Sequence, residues 1–254
     1  MKKILLNVLT HGDESIGKRV ADEIARRYPS LIGKGLDIQV ANEQAYKNGE
    51  RYVDDDLNRV FPGNPIGSCE ERRAFELVPI ISLYELTIDV HATESGSGDM
   101  VIVTKLDKQT KNLLDYLQPK YVLYMNMPPD KALISVAKIG IAFEMGSNGD
   151  EKTYTKTLAG IESLLSYLKL IPVKSSLGFK TQYFEVFEPV PKSAGARLTK
   201  GIENFKCIHE GDVFAQAVDG TSVVAKEDFY PVIFGSTNYE TIFGFAARLL
   251  TFND

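Results

Sequence analysis

Cysteine, histidine and tryptophan are scarce in this 254-residue chain, which holds two, three and none of them. Cys69 and Cys207 lie far apart and form no CxxC pair. That excludes a cysteine-rich structural zinc site and argues against a disulfide framework. Two isolated thiols fit a reducing, cytoplasmic compartment. Long apolar runs are also missing, and no stretch approaches the ~18 residues of a membrane span. The start is basic and then apolar, but the run is short. His11-Gly12-Asp13-Glu14 follows it in place of a small-residue cleavage pattern, so it reads as a buried first strand rather than a signal peptide. A basic excess is absent too: the net charge of -5 argues against a nucleic-acid partner, and no segment marks a membrane one. What remains is close to the globular average, 44% hydrophobic and 25% charged, in a chain long enough to bury a full core.

Along the chain, short apolar runs alternate with helix-like segments as far as about Leu168. Strands are expected at 4–9, 36–41, 86–91, 100–104, 121–125 and 139–145. Helices are expected at 14–28, 106–117 and 153–170, where apolar residues recur at helical spacing. Residues 94–98 form a glycine-bearing loop between two of the strands. This alternation points to an α/β core with a mainly parallel or mixed sheet. After Ile171 the runs become short and β-rich, at 183–187, 205–208, 213–217, 222–225 and 230–234, with Asp219-Gly220 as a hairpin signal. A short helix near 240–250 is expected to close the chain. The division expected is therefore 1–171 for the α/β part and 172–254 for a small β-rich one.

Four segments can carry chemistry. Thr10-His11-Gly12-Asp13-Glu14 stands where the first strand gives way to a helix, and ligands collect at the carboxyl ends of strands in open α/β sheets. A tight turn at Gly12 lets His11 and Glu14 converge on one metal; the plainer alternative is a helix start with favourable acids. His91 ends another apolar strand, with Asp89 on the same face as a partner for its ring N–H. Two His and one Glu at strand ends are the ligand set of an open catalytic zinc site. His209, before a turn, reads as an ordinary surface residue. In Arg51-Tyr52-Val53-Asp54-Asp55-Asp56-Leu57-Asn58-Arg59 the charges are either a solvated loop or, beside a metal, clamps for a carboxylate or an oxyanion. Glu144 places a carboxylate inside the apolar run 139–145, where a charge requires a buried partner or a catalytic role.

HGDE, RYVDDDLNRVFPG, DVHAT and Glu144, in this order and spacing, resemble the aspartoacylase/succinylglutamate desuccinylase family, a relative of the zinc carboxypeptidases. The turns around Gly211 and Gly220, and the spacing from Tyr230 to Tyr239, fit the same pattern. The resemblance implies one Zn2+ per chain held by His11, Glu14 and His91, with Glu144 as general base and Arg51 polarising the carbonyl. It assigns the substrate's α-carboxylate to Asn58 and Arg59, and gives Tyr239 a contact reaching the substrate from the C-terminal part. The implied fold is a zinc-carboxypeptidase-like mixed sheet between helices, with the β-rich C-terminal part covering the site. The implied activity is hydrolysis of a small N-acyl amino acid; a homo-oligomer is left open.

One position departs from the pattern. Where aspartoacylases carry an arginine for the substrate's side-chain carboxylate, this chain has Ile134. Lys131 and Lys138 are nearby, but lysine does not reproduce a bidentate fork. The expectation is a substrate without a second carboxylate at that place, or one whose second carboxylate is anchored elsewhere. Two alternatives compete: a metallocarboxypeptidase acting on short peptides, and a catalytically silent metal-binding homologue.

Overall fold

A computed structural model describes residues 4–93, 98–127, 131–235 and 239–252. The apolar start is strand β1 (Ile4–Val8), with all five residues buried. Strands covered on both faces carry such unbroken runs instead of alternation. Helix α1 (Ser15–Arg27) then buries Ile16, Val20 and Ile24 along one stripe. Next come β2 (Leu36–Val40), α2 (Glu43–Asn48), α3 (Cys69–Ile81), β3 (Leu86–His91), β4 (Met100–Val103) and α4 (Lys108–Leu117). β5 (Tyr121–Tyr124), β6 (Ile139–Glu144) and α5 (Glu151–Tyr167) follow. The chain continues through β7 (Gln182–Pro191), β8 (Arg197–Leu198), β9 (Val213–Gln216), β10 (Ser222–Val224), β11 (Tyr230–Val232) and β12 (Ile242–Leu250). Among the described residues no helix is long and apolar enough to cross a membrane.

Nine strands form one mixed sheet in the order β11-β12-β7-β5-β4-β6-β3-β1-β2. β2, β1, β3 and β6 run parallel, so their carboxyl ends share one edge. On one face the sheet packs against α1, α4 and α5 through Val20, Ile24, Leu113, Leu117, Ile161 and Leu164. On the other, Leu5 and Ala142 meet Leu57, Phe61, Ala74, Leu77 and Ile81, much of that cover coming from α3. Each Val, Leu, Ile or Phe side chain among them contributes about 1.5–3 kcal/mol when fully buried. The result is the mixed sheet between helices that the alternating pattern implied.

The last third departs from the expectation at three places. The helix expected near 240–250 is strand β12, paired antiparallel with both β7 and β11. Ala246-Ala247-Arg248-Leu249-Leu250 has good helix formers, but two partner strands and buried Phe243 and Phe245 override that preference. The run 205–208 is not a strand: Phe205 has φ of +66°, and only Ile208 forms an isolated bridge, with Phe229. β7 joins β5 in parallel, so the large sheet runs on past residue 171. A small antiparallel sheet, β10-β9-β8, accompanies it around Phe214, Phe229 and Phe234. Asp219-Gly220 does form the β9–β10 turn, with Gly220 at φ +85°. Residues 94–97 of the expected glycine loop lie outside the described residues.

Candidate active site

β1 ends two residues before Thr10, and Leu9 turns the chain with φ of +58°. Such a conformation costs an L-residue about 1–2 kcal/mol. Glu14 sits at the N-cap position of α1, yet its side chain makes no capping bond. Asn148 substitutes: its Oδ1 accepts the Ile16 N–H at 3.0 Å. The Glu14 carboxylate is thereby left to face the histidines. Its Oε1 lies 2.7 Å from His11 Nδ1, and its Oε2 lies 3.1 Å from His91 Nδ1. The two Nδ1 atoms are 3.3 Å apart. One donor atom from each of the three residues thus falls within 4.8 Å of the others, and all three residues are buried.

The surroundings orient each ligand. His91 Nε2 is 2.7 Å from Asp89 Oδ2, while Asp89 Oδ1 accepts from Asn7 Nδ2 and Thr10 Oγ1 at 2.7 Å each. A carboxylate on the far ring nitrogen fixes the imidazole's orientation and tautomer. The Ala92 N–H donates to Glu14 Oε2 at 2.9 Å. Burial alone would lower the His91 pKa, but Asp89 and Glu14 more than offset it and hold it well above the usual range. This is a buried place built for positive charge. Two imidazole nitrogens and one carboxylate at this spacing fit a divalent ion of the zinc type.

Glu144 comes to the same edge because β6 lies beside β3, in a register that pairs His91 with Glu144. The Thr93 hydroxyl donates to its Oε2. Burial pushes the Glu144 pKa up, His91 draws it down, and Glu14 adds to the rise; the net direction is upward. A carboxylate poised above its ordinary range is what general-base work near neutrality requires.

The acidic loop between α2 and α3 closes the other side. Arg51 Nη1 donates to Glu14 Oε1 at 3.0 Å, and its Nη2 lies 3.0 Å from His11 Nε2. Asp56 Oδ1 is 3.1 Å from the same His11 nitrogen and accepts the Asn58 N–H at 2.8 Å. Asp56 therefore starts the 3₁₀ turn Leu57–Arg59 and is no solvated bystander. Asn58 Oδ1 accepts the Leu133 N–H at 2.8 Å, which turns its amide nitrogen end away from that bond. Arg59 is exposed, and its Nη1 donates to the Asn58 carbonyl at 2.8 Å.

What holds this loop was missed in the sequence. Glu70, fully buried in the first turn of α3, accepts the N–H groups of Val53, Asp54 and Asp55 at 2.7, 3.0 and 3.1 Å, and Asn42 Nδ2 at 2.9 Å. The available signal was the Ser68-x-x-Glu71 capping box, which marks the start of α3 and puts Glu70 inside it. Burial alone would raise the Glu70 pKa, but the Val53 N–H, the Asn42 amide and the Asp54 and Asp55 N–H groups hold it below the ordinary value. A depressed carboxyl stabilises the fold at all pH values above its unfolded pKa, and that support disappears as pH falls through the folded one. Glu70→Gln is expected to cost about 2 kcal/mol, the range for hydrogen bonds to a charged group. Because Asn58 and Arg59, the expected carboxylate clamp, ride on the loop, the substitution should also raise KM several-fold. Denaturant melts at neutral and acidic pH, with kinetics at neutral pH, check this; a difference from wild type that persists at acid pH would contradict it.

His11, His91, Glu144, Arg51, Asn58 and Arg59 line a cavity of about 440 Å³ whose other walls include Ile102, Met125, Met127, Ile134, Ile233 and Phe245. Ile134, in the 3₁₀ turn Leu133–Val136, is 3% exposed. Tyr239 lines the same cavity, edge-on to Phe245 at 5.9 Å between centroids, and its hydroxyl pKa is raised, chiefly by burial. Lys131 lines it as well; Lys138 instead faces Glu85 at 3.7 Å. His209 is remote from this group and pairs with Asp228. A larger cavity, about 620 Å³, adjoins Lys120, Tyr121, Asn204 and Phe205 and contains none of the residues above.

Residues 1–168 match the family model of the succinylglutamate desuccinylase/aspartoacylase catalytic domain. The N-acyl-aromatic-L-amino acid amidohydrolase (carboxylate-forming) of Xenopus laevis is 25% identical, over 91% of this chain and 88% of its own. A probable aspartoacylase of Prochlorococcus marinus (strain MIT 9515) is 24% identical, over 94% and 90%. The crystal structure of murine aminoacylase 3 superposes with a TM-score of 0.82 at 18% identity, over 98% of this chain and 95% of that one. A product-bound ectoine utilization protein from Ruegeria pomeroyi superposes with a TM-score of 0.78 at 17% identity, over 98% and 85%. At these identities the solved structures speak to the fold.

Proposed function

The chain belongs to the succinylglutamate desuccinylase/aspartoacylase family, and from that premise we propose that it is a zinc-dependent amidohydrolase cleaving the amide bond of a small N-acyl amino acid with an apolar side chain. The observation that carries the reading is one juxtaposition: His11, Glu14 and His91 converge at the strand edge where Glu144 stands in register beside His91. His11, Glu14 and His91 would hold the zinc, which would supply Lewis acidity for the carbonyl and for the attacking water. Glu144 accepts the proton of the attacking water at its carboxylate and passes it to the departing amine nitrogen. Arg51, reaching the ligand cluster from the acidic loop, faces the developing oxyanion. Asn58 and Arg59 hold the α-carboxylate, which fixes the acyl carbonyl relative to Glu144. Tyr239 closes the cavity from the C-terminal part.

The apolar preference rests on Ile134, Ile102, Met125, Met127 and Phe245 around one cavity. At Ile134 a second carboxylate would meet an apolar wall, with Arg51 and Arg59 assigned to the oxyanion and the α-carboxylate and Lys131 offering no bidentate fork. Thioether side chains adapt to bulky or aromatic groups, and the name of the Xenopus laevis relative points the same way. Free Cys69 and Cys207 accord with a cytoplasmic setting.

The test is hydrolysis of N-acetyl and N-succinyl amino acids by the zinc-loaded protein, with short peptides alongside. N-acetyl phenylalanine, tyrosine and leucine are expected to exceed N-acetyl aspartate at least tenfold in kcat/KM, a difference of about 1.4 kcal/mol. Chelation should abolish turnover and zinc restore it. A preference for acidic amino acids would remove the argument from Ile134, and faster hydrolysis of peptides would favour a carboxypeptidase.

A further inference from the structure

A second set of donors converges in the C-terminal part. Ile208 and Phe229 form an isolated antiparallel bridge, the N–H of each donating to the other's carbonyl, at 2.8 and 3.0 Å. Ile208 points inward and is buried, so Cys207 and His209, one residue to either side, face the opposite way. Asp228, next to Phe229, stands across from His209. His209 Nδ1 lies 3.2 Å from Asp228 Oδ2 and 3.9 Å from Cys207 Sγ, and all three donor atoms fall within 4.8 Å of one another. The cluster is braced from behind. Asp228 Oδ1 accepts the Glu210 N–H at 2.8 Å, and Asp212 Oδ2 accepts the His209 N–H at 2.9 Å.

We propose that Cys207, His209 and Asp228 form a second divalent transition-metal site, suited to zinc, separate from the catalytic cluster and open to water at its remaining position. Tetrahedral zinc, about 2.3 Å from sulfur and about 2.0–2.2 Å from nitrogen or oxygen, sets neighbouring donors about 3.3–3.7 Å apart. The His209–Asp228 separation of 3.2 Å lies just below that range and the Cys207–His209 separation of 3.9 Å just above it, so small movements of these side chains bring them to it. One thiol, one imidazole and one carboxylate favour zinc or cobalt over magnesium or calcium, which take oxygen ligands. A surface ion pair accounts for His209 with Asp228, but not for one of only two thiols facing the same point. Metal uptake replaces the proton on Cys207 sulfur, so one proton is released to solvent as the metal–thiolate bond forms. A bound ion would add a further link between the 207–212 turn and the 225–229 segment, which the Ile208–Phe229 bridge, the Glu210 N–H to Asp228 and the Gly211 and Asp212 bonds to Ala225 already join.

Cobalt(II) titration of the metal-free full-length protein tests this, because the catalytic cluster contains no sulfur. Wild type is expected to bind two equivalents, one of them with a saturable near-ultraviolet thiolate-to-cobalt charge-transfer band. Cys207→Ser should lose that band and one equivalent while keeping the other; Cys69→Ser should change neither. His209→Ala should weaken the band's cobalt affinity at least tenfold. Absence of the band in wild type, its survival in Cys207→Ser, or growth without saturation in large cobalt excess would overturn the proposal. Unchanged affinity in His209→Ala would overturn it too. Amide hydrolysis plays no part in this readout, so failure here and failure of the amidohydrolase reading are distinguishable.

Discussion

Glu144→Gln is expected to retain its zinc and lose about 10²- to 10⁴-fold in turnover, the usual contribution of a positioned acid–base group. In free energy that is about 3–5 kcal/mol. The substitution is nearly isosteric, and the Thr93 hydroxyl that donates to Glu144 Oε2 can still donate to an amide oxygen. β6 and its register with β3 are untouched, so His91 and its partners stay in place. What disappears is the ability to take a proton from water. The loss should therefore fall on kcat, with KM and zinc content near wild type. Metal analysis alongside steady-state kinetics checks both halves. Near wild-type kcat would remove Glu144 from the base role, whereas loss of zinc would make it a structural support for the ligands.

Gly12→Ala should damage the site through the backbone alone. A Cβ on Gly12 would lie 2.4 Å from the Ala45 carbonyl carbon and the Tyr46 nitrogen, and 2.5 Å from the Glu50 carbonyl oxygen. These are main-chain atoms within α2 and just past its end, so no side-chain rotation relieves them. The Gly12 N–H also donates to the Arg51 carbonyl at 3.0 Å, tying the turn to the loop that carries Arg51. Accommodating one methyl group must push the 11–14 turn away from α2, moving His11 and Glu14 off their shared point and Arg51 with them. The expected cost is about 3 kcal/mol of stability, the upper part of the overpacking range. Zinc affinity should fall by roughly 10- to 100-fold, as when supports of metal ligands are lost. Denaturant unfolding and competition with a zinc chelator measure the two effects. Wild-type values for both would mean that the turn has slack which the packing does not show.

Gly12 illustrates how the sequence can be right about a residue for a reason only part of which is local. A glycine between His11 and Glu14 permits a tight turn, and that much is legible in HGDE. Its tolerance limit, however, comes from α2, a helix not read from sequence because Glu43–Asn48 is too short for a helical period to stand out. Asp56 is a similar case. In a run of three acids it looks solvated, yet it touches His11 and caps the turn bearing Asn58 and Arg59. Glu70 looks like an ordinary acid at a helix start, and nothing local announces that three N–H groups from another segment will dock on it. The closing segment fails in the opposite direction. Ile242–Leu250 has the composition of a helix, and only pairing with β7 and β11 makes it a strand.

The sequence by itself determined the donor types and their addresses, because one apolar run leads to His11, another ends at His91 and a third contains Glu144, and such runs mark strands whatever the packing. It also determined the absence of a cationic fork at Ile134. Tertiary structure decided which strands are neighbours, and so that Glu144 stands beside His91. It decided that Glu70 pins the arginine loop and that β12 lies in the large sheet with Tyr239 lining the cavity. Among three scarce histidines, it also decided that His209 has company beyond its sequence neighbour Cys207: Asp228 meets it because the Ile208–Phe229 bridge aligns the two segments. Local chemistry is written residue by residue, whereas adjacency between distant segments arises only when the chain buries its apolar surface and pairs its backbone.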